Sequence, residues 1–186
     1  MLHFNLYKYI KVNKLKKPIF EPSQLRTITK QVVEGLKYME HHSIIHCDMK
    51  PENIIFTDDS YTGIKIIDFG SSCTDSMLGF SYVQSRYYRA PEVVLGIHYG
   101  HPVDMWSLGC IVYELITGRP LFPGRDENEL LEYIIVTIGR VPPEMLENAK
   151  KYKTFYKKTN NYLSFYNHDL IRSKESRLPS NLVEGS

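Results

Sequence analysis

Leu25, Ile28, Val32, Leu36 and Met39 recur every three or four positions, the spacing of one buried helix face. A long amphipathic helix is therefore predicted from Ser23 to about His42. Upstream, Asn5 precedes Leu6, Tyr9 and Ile10, which predicts a short helix capped by the Asn5 side chain. Lys11 to Pro22 is polar, contains two prolines and reads as a loop. After His42 the pattern changes to short β-branched or aromatic runs, Ile44-Ile45 and Ile54-Ile55-Phe56, with polar residues between them. Turn residues from Thr57 to Gly63 lead into another strand, Ile64 to Ile67. Asp68 to Glu92 reads as a loop, helices follow near 103–117 and 127–138, and a further helix is expected at 144–156. No internal repeat is present, and 172–186 has too little apolar content to expect order.

Composition narrows the class. The chain has 186 residues, enough for one domain with a core, and a formal charge of +2. That small charge sets up no strong field toward nucleic acid or a membrane. The fourteen tyrosines read as packing residues with a polar tip. Cys47, Cys73 and Cys110 show no paired or metal spacing, so reduced thiols in the cytoplasm and/or nucleus are expected. The start lacks a secretory signal pattern, and the most apolar helix, with Asp104 and Glu114 inside it, is too short for a bilayer. Lys150, Lys151, Lys153, Lys157 and Lys158 alternate with Tyr152, Phe155 and Tyr156. Single-stranded nucleic acid binds such mixtures, but a charged helix face is the better reading at this net charge.

The chemistry concentrates in His46-Cys47-Asp48-Met49-Lys50-Pro51-Glu52-Asn53, then Asp68-Phe69-Gly70, then Ala90-Pro91-Glu92. In that order and spacing these runs match the catalytic-loop, metal-binding and activation-segment motifs of protein kinases. Phosphoryl transfer from ATP needs a group that orients the acceptor hydroxyl, cations that absorb charge, and ligands that hold them. Asp48 can accept the hydroxyl's hydrogen bond, and Lys50 can reach the transferring group from the same loop. Asn53 and Asp68 offer hard oxygens suited to Mg²⁺. Any one of these residues alone reads as a surface charge or a turn; the joint pattern carries the argument.

The chain resembles the dual-specificity tyrosine-regulated kinases of the CMGC group over about residues 1–150. His46-Cys47-Asp48, Asp68-Phe-Gly-Ser-Ser-Cys73 and Tyr82-Val-Gln-Ser-Arg-Tyr-Tyr-Arg-Ala-Pro-Glu-Val-Val-Leu-Gly96 carry the resemblance. It implies a mainly α fold with short β-hairpins (α+β), the C-terminal lobe of the kinase fold without the N-terminal β-lobe. Residues 1–150 would be a partial kinase domain with its hinge, and 151–186 a CMGC-insert-like segment and tail. By the same resemblance Leu2 meets adenine and Asn5 lies near the ribose. Tyr82 is similar to the tyrosine these kinases phosphorylate on themselves, with Arg86 and Arg89 close enough in sequence to hold its phosphate. Arg89 would also shape a pocket favouring proline after a serine or threonine acceptor. Asp104 is expected to be a buried acceptor for backbone N–H groups.

The sequence departs from a complete kinase in having no Gly-rich phosphate loop and no strand lysine before His46. Glu92 is expected to lack the late-helix arginine it meets in relatives, and the face toward the missing lobe to be apolar and open to a partner. An active Ser/Thr-Tyr kinase read from an incomplete sequence, a non-catalytic binding module, and a remnant that does not fold all remain as alternatives.

Overall fold

The computed structural model describes residues 4–74, 83–159 and 162–165. The described residues form a mainly helical body with small antiparallel strand pairs. Helix α1 is Leu6–Asn13 and α2 is Pro22–His41. Strands β1 (Ile44–Ile45), β2 (Ile54–Phe56), β3 (Ile64–Ile66) and β4 (Cys73–Thr74) follow. Helices α3 (Pro91–Leu95), α4 (Pro102–Thr117), α5 (Glu127–Ile138), α6 (Pro143–Glu147) and α7 (Tyr152–Phe155) precede strands β5 (Tyr156–Thr159) and β6 (Tyr162–Phe165).

Asn5 caps α1 through its side chain, accepting from the Lys8 amide at 2.9 Å. The helix runs on to Asn13, so the expected loop starts later. The added turn is held by buried Asn13, whose Nδ2 donates to Tyr9 O at 3.0 Å, while the Tyr9 ring stacks on Phe20 at 4.5 Å and meets Phe56 and Tyr61 at 5.4 and 5.0 Å, fixing α1 over the β2–β3 hairpin. Helix α2 begins at Pro22, a residue before the expected start, behind a Glu21–Gln24 capping box. Ile28, Val32, Leu36 and Met39 are buried, as their spacing predicts. Gln31 of α2 donates to Thr62 O at 2.7 Å and accepts from the Ile64 amide at 3.2 Å, so the helix holds the hairpin edge.

Strand register follows the apolar runs. Ile54 pairs with Ile66, Ile55 with Lys65 and Phe56 with Ile64. Ile45 pairs with Cys73 and Ile44 with Thr74, which closes the polar loop between β1 and β2 from the other side. The expected loop from Asp68 to Glu92 thus contains β4, and α3 begins within it at Pro91. Helix α4 stops at Gly118, whose φ of +74° suits glycine; a Cβ there would also lie 2.8 Å from Ile19.

The single helix expected at 144–156 is instead two short helices, α6 and α7. The chain then turns into the antiparallel β5–β6 pair, with Thr159 opposite Tyr162. Phe155 and Tyr156 are buried in the core, which favours turning back over extending the helix. The tail from 166 onward lies outside the described residues. Among the described residues no helix is long and apolar enough to cross a membrane, and the three cysteines are free and buried.

Helix α4 is the fold's spine. Asp104, 3% exposed, accepts from the His46 amide at 2.7 Å and the Cys47 amide at 3.0 Å. Burial raises the pKa of its carboxyl, against the pull of those two amides. Asp104→Ala would leave both amides buried without an acceptor. The expected loss is on the order of 3 kcal/mol, read as a lowered denaturant midpoint at constant slope; an unchanged midpoint would refute the anchoring role.

Candidate active site

The polar loop between β1 and β2 is shaped by its backbone. Cys47 has φ +63°, Asp68 +65° and Gln84 +66°, three of the five described non-glycine residues in the left-handed region. Such strain persists only where surrounding contacts over-determine it, and it clusters at functional sites. Here the contacts are visible. The Gln84 amide donates to Cys47 O at 2.9 Å. The buried Gln84 carboxamide donates to Val103 O and Ser107 Oγ at 2.9 and 2.8 Å and accepts from the Ala90 amide at 2.9 Å. Helix α4 therefore holds the loop through Asp104 and the segment before Ala90 through Val103 and Ser107.

Asp48 sits where these two meet. Its Oδ2 accepts from Lys50 Nζ at 2.6 Å, and its Oδ1 accepts from the Ser85 amide at 3.0 Å and Ser85 Oγ at 2.7 Å. Lys50 Nζ also donates to Ser85 Oγ at 3.2 Å. Asn53 Nδ2 donates to Asp48 O at 2.9 Å. Asp48, Lys50 and Asn53 thus come together, joined by Ser85, which the sequence reading did not single out.

Asp68 adjoins the group through Ile67. The Ile67 amide donates to Asn53 O at 2.9 Å, and Ile67 O faces His46 Nε2 at 3.0 Å. The Asp48 amide donates to His46 Nδ1 at 3.2 Å, so the ring carries its proton on Nε2 and donates to Ile67. Asp68 Oδ1 accepts from the Gly70 amide at 3.3 Å. Cys47 Sγ lies 3.5 Å from Cys73 Sγ beneath the loop, and burial, then the contact with Cys73, raises the Cys47 pKa.

The donor set fits a hard cation. Asn53 uses its N–H₂ group inward, and its Oδ1 accepts no hydrogen bond from the described residues. Asp68 is exposed and its Oδ2 is likewise uncommitted among them. One amide and one carboxylate, completed by water and phosphate oxygens, is an arrangement Mg²⁺ accepts.

The other described candidates bond to residues other than Asp48. Asn5 donates to Glu52 O at 3.2 Å, tying the α1 cap to the loop between β1 and β2. Arg86 is exposed and donates from Nη1 to Arg125 O. Arg89 is 2% exposed; its guanidinium donates to Val83 O at 3.0 Å, Gln84 O at 2.8 Å and Glu127 Oε1 at 3.0 Å. Leu2 and Tyr82 lie outside the described residues. Glu92 is half-buried, and burial raises its carboxyl pKa. Beside Asp48 opens a cavity of about 780 Å³ lined by Tyr7, Lys50, Glu52, Ser85, Tyr88 and Glu114, among others.

The protein kinase domain model matches residues 2–183, so the chain belongs to the protein kinase family. Its relatives point to one branch. The chain is 49% identical over 155 residues to dual specificity tyrosine-phosphorylation-regulated kinase mbk-2 of Caenorhabditis elegans, covering 83% of this chain and 19% of that protein. It is 49% identical over 162 residues to a probable dual specificity protein kinase YAK1 homolog of Encephalitozoon cuniculi, covering 87% and 40%. Human dual specificity tyrosine-phosphorylation-regulated kinase 3 is 43% identical over 155 residues, covering 83% and 26%. The chain thus spans less than half the length of these relatives.

Burial pushes the Asp48 pKa up, but hydrogen bonds from Lys50 and Ser85 and the Lys50 charge outweigh it, and the carboxyl ends below its ordinary value. Asp48 therefore stabilises the fold through its charged form. That contribution is fully present above about pH 4, the unfolded aspartate value, and is lost as pH falls through the lower folded value. The stability difference between wild type and Asp48→Asn, measured by denaturant unfolding, is expected to stay flat from neutral pH to about pH 5 and change only in stronger acid. A change centred near neutrality would contradict it.

Proposed function

We propose that this chain carries the catalytic and substrate-binding half of a protein kinase that transfers the ATP γ-phosphate to serine or threonine, and to its own Tyr82. The observation that carries the reading is the Asp48 carboxylate, held between Lys50 and Ser85 and beside the free Asn53 Oδ1. In its charged form Asp48 can accept a hydrogen bond from an acceptor hydroxyl and take its proton late in transfer. Lys50, already 2.6 Å from Asp48, balances negative charge at the same point. Asn53 and Asp68 would hold Mg²⁺. Bound Mg-ATP supplies the phosphoryl group and the charge that neutralises it.

The neighbouring cavity suits a peptide. Glu52 Oε2 is buried in its lining with no hydrogen-bond partner among the described residues. Glu114, whose pKa is raised by burial and also by Glu52, accepts from the Tyr88 hydroxyl at 2.7 Å. A basic peptide side chain would relieve both carboxylates. The residue after the acceptor would approach the Gln84–Ser85 backbone. There the Gln84 carbonyl is turned toward Arg89 and serves its guanidinium. A peptide N–H at that point loses this acceptor, while proline has no N–H to satisfy.

Helices gather around the site, and the side that would cover a triphosphate leaves Ile67 and Phe69 exposed by 37% and 46%. We assign this face as the seat of a β-rich lobe bearing the Gly-rich loop and its lysine, from the same polypeptide or a partner. The same exposed pair favours the second reading, a non-catalytic module that docks another protein.

Phosphate transfer decides between them. The protein isolated from its native source, given Mg-ATP, is expected to phosphorylate a Ser-Pro peptide, and Asp48→Asn to lower kcat by about 10²–10⁴-fold. Ser-Pro should exceed Ser-Ala in kcat/KM by about tenfold, the value of one unsatisfied N–H. Peptide binding without transfer, in wild type loaded with Mg-ATP, would replace the enzyme reading with the docking one.

A further inference from the structure

We propose that Glu127, with Lys151, is a positioning pair that sets the Gln84–Ser85 segment through Arg89, and so sets the discrimination for proline. The inference rests on the proline-directed reading above and adds to it residues far from the reacting atoms.

The relay is continuous. Lys151 Nζ donates to Glu127 Oε2 at 3.3 Å, and Glu127 Oε1 accepts from Arg89 Nη1 at 3.0 Å. Arg89 Nη2 and Nε donate to Gln84 O at 2.8 and 3.3 Å. The next residue, Ser85, holds Asp48 through its amide and hydroxyl. The guanidinium is thus shared between the backbone of the peptide-facing segment and a carboxylate on a different helix.

Each link is placed by its own local structure. Asp126 caps α5, accepting from the Glu129 amide at 2.9 Å, which puts Glu127 in the first turn. A carboxylate is favoured there by the helix dipole. The Lys151 amide donates to Leu95 O at 3.0 Å, so its backbone is fixed against the end of α3. Helix α7 and the β5–β6 pair follow directly, with Phe155 and Tyr156 buried. The Arg89 side chain is 2% exposed, and a charge so buried needs opposite charge beside it. Glu127, 25% exposed, supplies it while keeping contact with solvent and with Lys151.

The physical consequence concerns Gln84. Its φ of +66° is unfavourable for a residue with a side chain, and Arg89 stabilises it by taking its carbonyl. Without the Glu127 carboxylate, the guanidinium loses one of its fixed points. The Gln84 peptide then gains freedom to turn its carbonyl outward. An outward carbonyl can accept a peptide N–H, and a non-proline residue becomes tolerable.

Two measurements on Glu127→Gln and Lys151→Met test this. The first is amide hydrogen exchange on the purified chain, which needs no catalysis. Exchange at Gln84, Ser85 and Ala90 is expected to quicken about tenfold in Glu127→Gln and less in Lys151→Met, with α2 and α4 amides unchanged. Unchanged protection at those three amides would overturn the relay. The second is the Ser-Pro to Ser-Ala ratio, as kcat/KM where phosphate is transferred and as peptide affinity where it is not. A fall of the ratio toward one in Glu127→Gln, in protein whose α2 and α4 amides stay protected, supports the proposal. A loss of both peptides in equal proportion shows a structural role only and overturns it. Protein from the native source that transfers no phosphate would defeat the kinase reading, while exchange and affinity would still decide the relay.

Discussion

A buried carboxylate on α4 organises everything around it. Asp104 takes the amides of His46 and Cys47 at 2.7 and 3.0 Å, and so fixes the start of a loop whose own sequence is too short and too polar to hold a shape. A carboxylate in so enclosed a position is tolerated only because it is hydrogen-bonded. What it gains for the fold is direction: two consecutive N–H groups pointing at one helix leave Cys47 in a left-handed conformation and turn Asp48 away from the core. The same helix grips the later segment through Val103 and Ser107, whose partners lie on Gln84. One rigid element thereby positions both sides of the candidate site, and relative placement follows from α4's rise and turn rather than from loop flexibility.

Preorganisation is the theme of the polar contacts. Asp48 does not wait for a substrate to be oriented; Lys50 and Ser85 already fix both its oxygens. His46 and Asn53 hold Ile67 from two directions, and that fixes where Asp68 begins. Groups held this way need little reorganisation when charge develops, and that is where electrostatic catalysis gains most. Left-handed backbone at Cys47, Asp68 and Gln84 is the cost, offset at Cys47 and Gln84 by buried hydrogen bonds.

Much of this was legible in the chain, and the reasons differ by residue. The α2 face was plain because Ile28, Val32, Leu36 and Met39 obey one period over about three turns. The Asn5 cap was plain because Asn suits that position and apolar residues follow. Asp48, Lys50, Asn53 and Asp68 stood out because motif order and spacing carry chemical meaning. Asp104 could be foreseen as a buried acceptor because an acid buried in an apolar helix must find donors. The break at 147–152 could not, because tertiary burial of Phe155 and Tyr156 overrides helix propensity there. Ser85 and Gln84 were hidden in a motif quoted whole: their importance comes from a loop and a helix distant in sequence. Glu127 reads as an ordinary first-turn acid, and only its meeting with Arg89 across 38 residues gives it a role.

The central claim is that Asn53 and Asp68 face one cation site beside Asp48. Paramagnetic relaxation by Mn²⁺, bound with ATP in place of Mg²⁺, reads this directly on an isotope-labelled chain. Amide signals of Asp48, Asn53, Asp68 and Gly70 should broaden together at low Mn²⁺, while those of Lys151 and α5 stay sharp. Broadening that separates Asn53 from Asp68, or that centres on another part of the molecule, would contradict the account.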